Sequence, residues 1–371
     1  MNKIKILDCT LRDGGYYNNW DFSKEIVNDY LKVMSIVGID YVELGFRSFK
    51  AKSFKGPTWY TTESYLNSLA IPKNLTIGVM VNAAELISHP LGILKATKIM
   101  FKNSQKSKVK LVRLACHFEE FDKTVKVCKI LQGQGYKVAI NLMQISEQTE
   151  DKIISVAKIA EKERPDILYF ADSLGGMEAS QISDLINTLR THWTGPLGVH
   201  THNNLGRAIA NSLKALDNGV TYVDVTVTGM GRGPGNAATE YLLIEMQNNY
   251  KRKSDILPLL KLIQKHFEPM KQKYRWGTNP YYYLAGKHGI HPTYIQEMLA
   301  THFNESEIMA AIDQLKYSGG RRYNVDLVRS EFQKPMKLAK GKWSPSKIIK
   351  NREVLLIASG PKANDYKQEI E

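Results

Sequence analysis

Cysteine is scarce in this chain: 371 residues hold three, Cys9, Cys116 and Cys128, and no two form a Cys-x-x-Cys pair. An odd, scattered set excludes a disulfide framework and a zinc knuckle, and it fits a reducing cytoplasm. Long apolar runs are missing too. None approaches the roughly 18 residues that a spanning helix needs, and "MNKIKILDCT" turns polar before the apolar core of a secretion signal could form. No membrane association is expected. A phosphate-cradling Gly-Lys-Ser/Thr is also lacking, and "IASGPKAND" (357–365) is no Gly-x-Gly-x-x-Gly, so neither stretch offers a nucleotide motif. Lys and Arg outnumber Asp and Glu, 51 to 37. No aromatic-rich RNA-binding motif or zinc finger accompanies that surplus, so acidic small molecules suit it better than nucleic acid.

What the chain does have is a repeating α/β rhythm. Short β-branched apolar runs lie at 4–10, 40–46, 75–82, 109–116, 137–143, 166–173, 196–202 and 221–227. Between them come segments of helical period, such as 23–38, 150–163, 179–193 and 206–219, several closing on a glycine before the next strand. Eight such units over roughly 250 residues predict an α/β fold, a (β/α)8 TIM barrel spanning 1–248. In such barrels the chemistry gathers at the C-terminal ends of the strands. Those ends carry Arg12 and Asp13, Glu43, Asn82, His117, Gln144, Asp172, His200 and His202, and Thr226.

Past the barrel the pattern changes. Residues 254–274 and 305–317 read as helices, and 276–299 is aromatic-rich. We expect a small C-terminal helical extension over 249–335, serving as a cap or a dimerisation segment of a homodimer. A basic linker follows at 336–352. Residues 353–371 read as the first βα unit of a further α/β domain, fused or partnered, that would continue beyond residue 371.

"GVHTHNNLG" (198–206) is the strongest local signal. Alternate residues of a strand share a face, so His200 and His202 project the same way, and two converging imidazoles can hold a divalent metal. In a closed barrel strand eight neighbours strands one and seven, so Asp13 can join them. A mixed O/N set without thiolate suits Mn²⁺, Mg²⁺, Co²⁺ or Zn²⁺. After strand eight, "VTGMGRGPGNAATE" (227–240) places four glycines in seven residues, which argues for a close backbone approach or an anion nest. Asn236 within it reads as a further ligand or as a loop asparagine preceding a helix.

These elements resemble the DRE-TIM metallolyases, the HMG-CoA-lyase-like family. Its strand-one signature is matched by Asp8, Thr10, Leu11, Arg12, Asp13 and Gly14; its His-x-His element by His200 through Gly206; and its glycine-rich loop by Gly229 through Ala237. The three occur in order over roughly residues 3 to 300. The resemblance implies carbon–carbon bond cleavage or formation through an enolate on a divalent cation, with Mn²⁺ the expected ion. It implies Asp13, His200, His202 and, in some branches, Asn236 as ligands, and Arg12 as the partner of the enolate oxygen. "LDCTLRDGG" and "HTHNNLG" look closest to the 4-hydroxy-2-oxovalerate aldolase branch, whose substrates are a small 2-keto acid and an aldehyde. The alternative is an acyl-CoA-dependent condensing enzyme of the isopropylmalate or homocitrate synthase type. The glycine-rich loop has no cysteine, which disfavours an HMG-CoA lyase.

Where the aldolase branch keeps a histidine as base, this chain has Gly15, Tyr16 and Tyr17. Tyr16 and Tyr17 are therefore candidate catalytic groups. His117, Tyr282, Tyr283, His288 and His291 are further candidates for the base. Glu43, Asn82, Gln144, Asp172, Thr226, Tyr282 and His288 complete the expected substrate contacts.

Overall fold

The computed structural model describes residues 4–49, 51–301, 303–317, 320–321 and 323–324. Eight parallel strands close on themselves in chain order: β1 (Lys5–Asp8), β2 (Tyr41–Phe46), β3 (Thr76–Asn82), β4 (Val109–Cys116), β5 (Lys137–Leu142), β6 (Ile167–Asp172), β7 (Leu197–Thr201) and β8 (Tyr222–Val225). β8 pairs with both β1 and β7, which completes the expected TIM barrel.

Both faces of each strand are covered, which is why the strands read as nearly continuous apolar runs. Outward residues such as Ile6, Val42 and Val199 join one large core under the surrounding helices. The helix Lys24–Ile36 shows how: Val27, Tyr30, Leu31 and Met34 recur at helical spacing on its buried side. Inward residues change character along the barrel axis. Leu7, Leu111, Ala139, Ile167 and Tyr169 form an apolar plug with Cys9 and Tyr222. At its N-terminal end the Lys137 ammonium donates to the Tyr222 hydroxyl (2.6 Å) and lies over the Tyr41 and Tyr222 rings. In the same barrel, Glu43, Arg113 and Asp224 are buried and charged.

Three features depart from the sequence expectations. β1 stops at Asp8, and Arg12 and Asp13 lie on a one-turn helix, Thr10–Gly14, rather than on the strand. The cause is local: the Asp8 carboxylate accepts the Thr10 N–H (2.9 Å), and this side-chain turn ends the extended backbone. Glu43 lies within β2, not at its end, beside a register shift between Glu43 and Gly45. The helix expected at 254–274 begins at Leu257 and runs to Tyr274, interrupted by a π turn at Ile263–Phe267 just before Pro269, which cannot donate an interior hydrogen bond. The aromatic-rich stretch divides, at Gly289 (φ 65°) and Pro292, into Pro280–Lys287 and Pro292–Ala300, followed by Glu305–Leu315. The linker expected at 336–352 and the βα unit at 353–371 lie outside the described residues.

Asp8 also ties the barrel to its helices. Besides Thr10 it accepts the Tyr30 hydroxyl (2.6 Å) and the Thr239 hydroxyl (2.6 Å), while Thr10 Oγ1 accepts the Val227 N–H (2.8 Å). Burial pushes the Asp8 carboxyl up, and the hydroxyls of Thr10, Thr239 and Tyr30 oppose that shift. Tyr30→Phe removes one of these bonds inside a dry site. We expect it to lower unfolding free energy by about 1.5–3 kcal/mol in urea titration, with the m-value unchanged.

Candidate metal centre and active site

The Asx turn after β1 aims Asp13 across the mouth toward β7. One carboxylate oxygen of Asp13 and one ring nitrogen each of His200 and His202 lie within 4.8 Å of one another, and all three residues are buried. The His200 and His202 rings are 5.0 Å apart. The glycine-rich loop closes over them. His202 bridges to Asn236, and the Asn203 N–H bonds the Gly235 carbonyl (2.8 Å). Gly235 needs its left-handed backbone (φ 75°) and its bare Cα, because a Cβ there would stand 2.2 Å from the Gly229 oxygen. The loop's tightness therefore seats Asn236, whose amide donates to Asp13 Oδ2 and whose Oδ1 is buried without a hydrogen-bond partner among the described residues.

A closed circuit of charge surrounds this cluster. Arg12 Nη1 donates to Asp13 (2.6 Å) and its Nε to Glu43 (2.6 Å). Glu43 Oε2 pairs with Arg113 Nη1 (3.2 Å), and Arg113 Nη2 donates to Asp224 Oδ2 (2.7 Å). That same oxygen lies 3.0 Å from His200 Nδ1, and His200 Nε2 faces Asp13 at 3.6 Å. Burial pushes Asp13 up, but the Arg12 guanidinium and then His200 and His202 hold it well below the usual carboxylate range. Burial and the adjacent His200 push His202 well below its ordinary value, so its imidazole is neutral.

Three carboxylates against two guanidiniums leave this buried circuit one negative charge, which a bound cation would offset. His200 Nδ1 faces Asp224, which turns Nε2 toward Asp13. His202 Nδ1 is buried with no hydrogen-bond partner among the described residues. Two converging imidazoles, an ionised carboxylate and a buried, unpartnered ring nitrogen fit a divalent metal.

The other expected residues divide by position. Tyr16 (40% exposed), His117, Gln144 and His291 line a cavity of about 920 Å³ at the C-terminal mouth. Tyr17 is half-buried, stacked on Tyr274 with ring centres 5.5 Å apart, and its hydroxyl meets the Gly233 carbonyl (3.4 Å). Burial, then Tyr282, pushes the Tyr17 phenol well above its usual value, and burial does the same to Tyr282; both are O–H donors rather than bases. Burial and the charge of Arg232 push His291 down to about 3.

Three expected substrate contacts, Glu43, Asp172 and Asn82, are turned to other uses, and a fourth, Thr226, is buried. Both Glu43 oxygens face arginines and the residue has no exposed surface. The Asp172 carboxylate accepts the N–H groups of Gly176 and Met177 (3.2 Å each), and burial raises it to about 6. Asn82 caps the helix Ala83–Ile87 through the Ala84 N–H (3.2 Å). Thr226 is fully buried, with its backbone bonded to Ala237 and Thr239. His288 and Tyr283 are exposed at the end of Pro280–Lys287. Arg113 and Asp224, in contrast, were not anticipated, although each is a charge at an inward position of an otherwise apolar strand. Opposite charges so placed on two strands signal a buried pair.

Residues 3–264 match the family described as HMGL-like. The chain belongs to the HMGL-like family. A 4-hydroxy-2-oxovalerate aldolase from Carboxydothermus hydrogenoformans is 32% identical over 65% of this chain and 70% of its own. One from Bacillus cereus is 25% identical over 89% of this chain and 96% of its own. Among solved structures, the N-terminal domain of a Bacteroides vulgatus protein described as a "putative aldolase" superposes with a TM-score of 0.71, at 32% identity, covering 83% of this chain and all of that one. An HMG-CoA lyase from Bacillus subtilis, 16% identical with a TM-score of 0.59, shares the fold, covering 75% of this chain and 95% of its own. These HMGL-like relatives favour the aldolase branch over the acyl-CoA-dependent condensing enzymes. No helix among the described residues is long and apolar enough to cross a membrane.

Asp224 fixes the His200 ring that faces the candidate ion site, and Arg113 holds Asp224 in place. Asp224→Asn is therefore expected to weaken Mn²⁺ binding by about 10–100-fold in calorimetric titration, with the barrel's circular dichroism unchanged.

Proposed function

We propose that this protein is a divalent-metal-dependent, class II pyruvate aldolase, which cleaves a 4-hydroxy-2-oxo acid to pyruvate and an aldehyde or joins the two. The observation that carries it is the buried Asp13, His200 and His202 cluster with Arg12 against it at the barrel mouth. Asp13, His200 and His202 are the ligands in this reading, with Asn236 beside them. A divalent cation held there, Mn²⁺ being the expected ion, supplies Lewis acidity toward a 2-keto oxygen, worth several kcal/mol in the transition state.

The chain's own groups supply the rest. Arg12 is anchored through Nε and Nη1, so its geometry is set before substrate arrives. Its permanent charge opposes the negative charge that develops on the keto oxygen, and it needs no reorganisation to do so. The Tyr17 and Tyr282 phenols, kept protonated by burial, can act as hydrogen-bond donors but not as bases. The 4-hydroxyl proton must pass to a base in the cavity, and of the two imidazoles that line it His117 is the candidate, since His291, held down to about 3, is too weak a base. The apolar plug beneath closes the barrel floor to bulk water.

A homodimer belongs to the same reading. So does an α/β partner domain beyond residue 371, supported by the Bacteroides vulgatus neighbour being an N-terminal domain. The three buried, free thiols suit a cytoplasmic setting.

Exchange of deuterium into the pyruvate methyl group tests the reading without any aldehyde. Mn²⁺-loaded protein should catalyse it, and chelation or Asp13→Ala should abolish it. Arg12→Lys should slow it by about 10²–10³-fold, the usual loss for one oxyanion-stabilising group. Exchange that persists unchanged after chelation would refute the metal-dependent assignment.

A further inference from the structure

The aldolase reading leaves the aldehyde unspecified, and the cavity at the mouth bears on it. Its volume is about 920 Å³, whereas pockets of about 300–1,000 Å³ serve drug-sized ligands. A two-carbon aldehyde beside pyruvate would leave most of that space to water. Two residues that border the cavity lie close to the candidate ligands along the chain: Tyr16 follows Asp13 by three residues, and Arg232 precedes Asn236 by four.

The lining is as telling as the size. Among the described residues that border the cavity, Met143 alone carries a side chain without an N–H, an O–H or an oxygen. Three of the polar groups have no hydrogen-bond partner among the described residues although the atoms are buried: Arg232 Nε, Thr293 Oγ1 and Gln296 Oε1. They come from two separate elements, the glycine-rich loop and the helix Pro292–Ala300. Arg232 also makes no ion pair among the described residues, and its guanidinium lies 5.3 Å from the Tyr16 ring centre, presenting a flat polar face. Gln144, at the same wall, holds a left-handed backbone (φ 55°) unusual outside glycine, a strain typical of ligand sites.

These unpartnered polar atoms are set among carbon surface that, Met143 apart, belongs to the rings and methylenes of the same polar side chains. Guanidinium, amide and hydroxyl groups in such a set match neighbouring hydroxyls of one ligand, each of which both donates and accepts. We propose, on the aldolase reading above, that the acceptor is a polyhydroxylated, sugar-like aldehyde of about four or more carbons. Arg232, Thr293 and Gln296 are its binding groups. The new bond joins the pyruvate methyl carbon to the aldehyde carbon. The methyl proton leaves to a base and the aldehyde oxygen gains one to become the 4-hydroxyl, so no oxidant or further reactant is needed.

Initial rates of condensation with pyruvate decide the matter, using Mn²⁺-loaded full-length protein and acetaldehyde, propanal, butanal, glyceraldehyde and erythrose in parallel. The expected result is a kcat/KM for erythrose at least about 100-fold above that for butanal, since a site built to bond hydroxyls rejects the analogue lacking them. In Gln296→Leu and Thr293→Val the erythrose-to-butanal ratio should fall about tenfold each. Because the ratio is taken within one preparation, loss of folded protein cancels from it. Equal or better use of the alkyl aldehydes, or a ratio unmoved in both variants, overturns the proposal. Methyl deuterium exchange with no preference for hydroxylated acceptors defeats this inference alone; absence of metal-dependent exchange defeats the aldolase reading and this inference with it.

Discussion

Two guanidiniums and three carboxylates share the upper interior of this barrel, and the rest of the site depends on how they are paired. A charge moved from water into such a place is unfavourable unless its partners are fixed, and removing one member of a buried pair commonly costs about 3–5 kcal/mol. Here each arginine is held between two acids: Arg12 between Asp13 and Glu43, Arg113 between Glu43 and Asp224. The circuit runs from the turn after β1 through β2, β4 and β8 to His200 on β7. It therefore braces opposite walls of the barrel, and the same contacts that brace the walls orient the candidate ligands. Stability and positioning are one set of interactions in this protein.

The interior is ordered along its axis. An apolar plug excludes water, the ion circuit carries a residual negative charge, and the cavity at the mouth is polar with several unpartnered atoms. A cation is favoured where the circuit is negative, and its electrostatic effect is strengthened by the dry plug below. The roles of neighbouring groups follow from their depth. Tyr17 and Tyr282 are buried enough to remain protonated, while Tyr16, three residues after a candidate ligand, meets solvent and the cavity.

Much of this was legible in the sequence because two kinds of signal were strong. Apolar β-branched runs at regular spacing marked the eight strands, since parallel strands covered on both faces leave a periodic trace. Arg12, Asp13, His200 and His202 stood out because charged and imidazole groups recur there in a recognisable order. The length of β1 was not legible: the Asp8 side chain competes with the strand ladder for the Thr10 N–H, and apolar pattern does not register such competition. Asp8 and Thr10, which belong to the strand-one signature, serve as latches to Tyr30, Thr239 and Val227. Glu43 looked like a ligand for substrate, yet two arginines claim it. Which acid meets which arginine is a property of barrel closure, and no local stretch of sequence contains it.

The order of the candidate ligands along the chain has a temporal consequence. Asp13 follows the first strand, His200 lies on the seventh with His202 just past its end, and the loop bearing Asn236 follows the eighth. During synthesis the nascent chain thus holds one of its four candidate ligands from the outset and waits 187 residues for the first histidine and 223 for Asn236. No partial barrel can present the complete cluster, so an ion that requires all of it discriminates finished molecules from unfinished ones. Loading with metal is in that sense a checkpoint on closure of the last strand, and the bound ion would hold the first and last strands together against reopening.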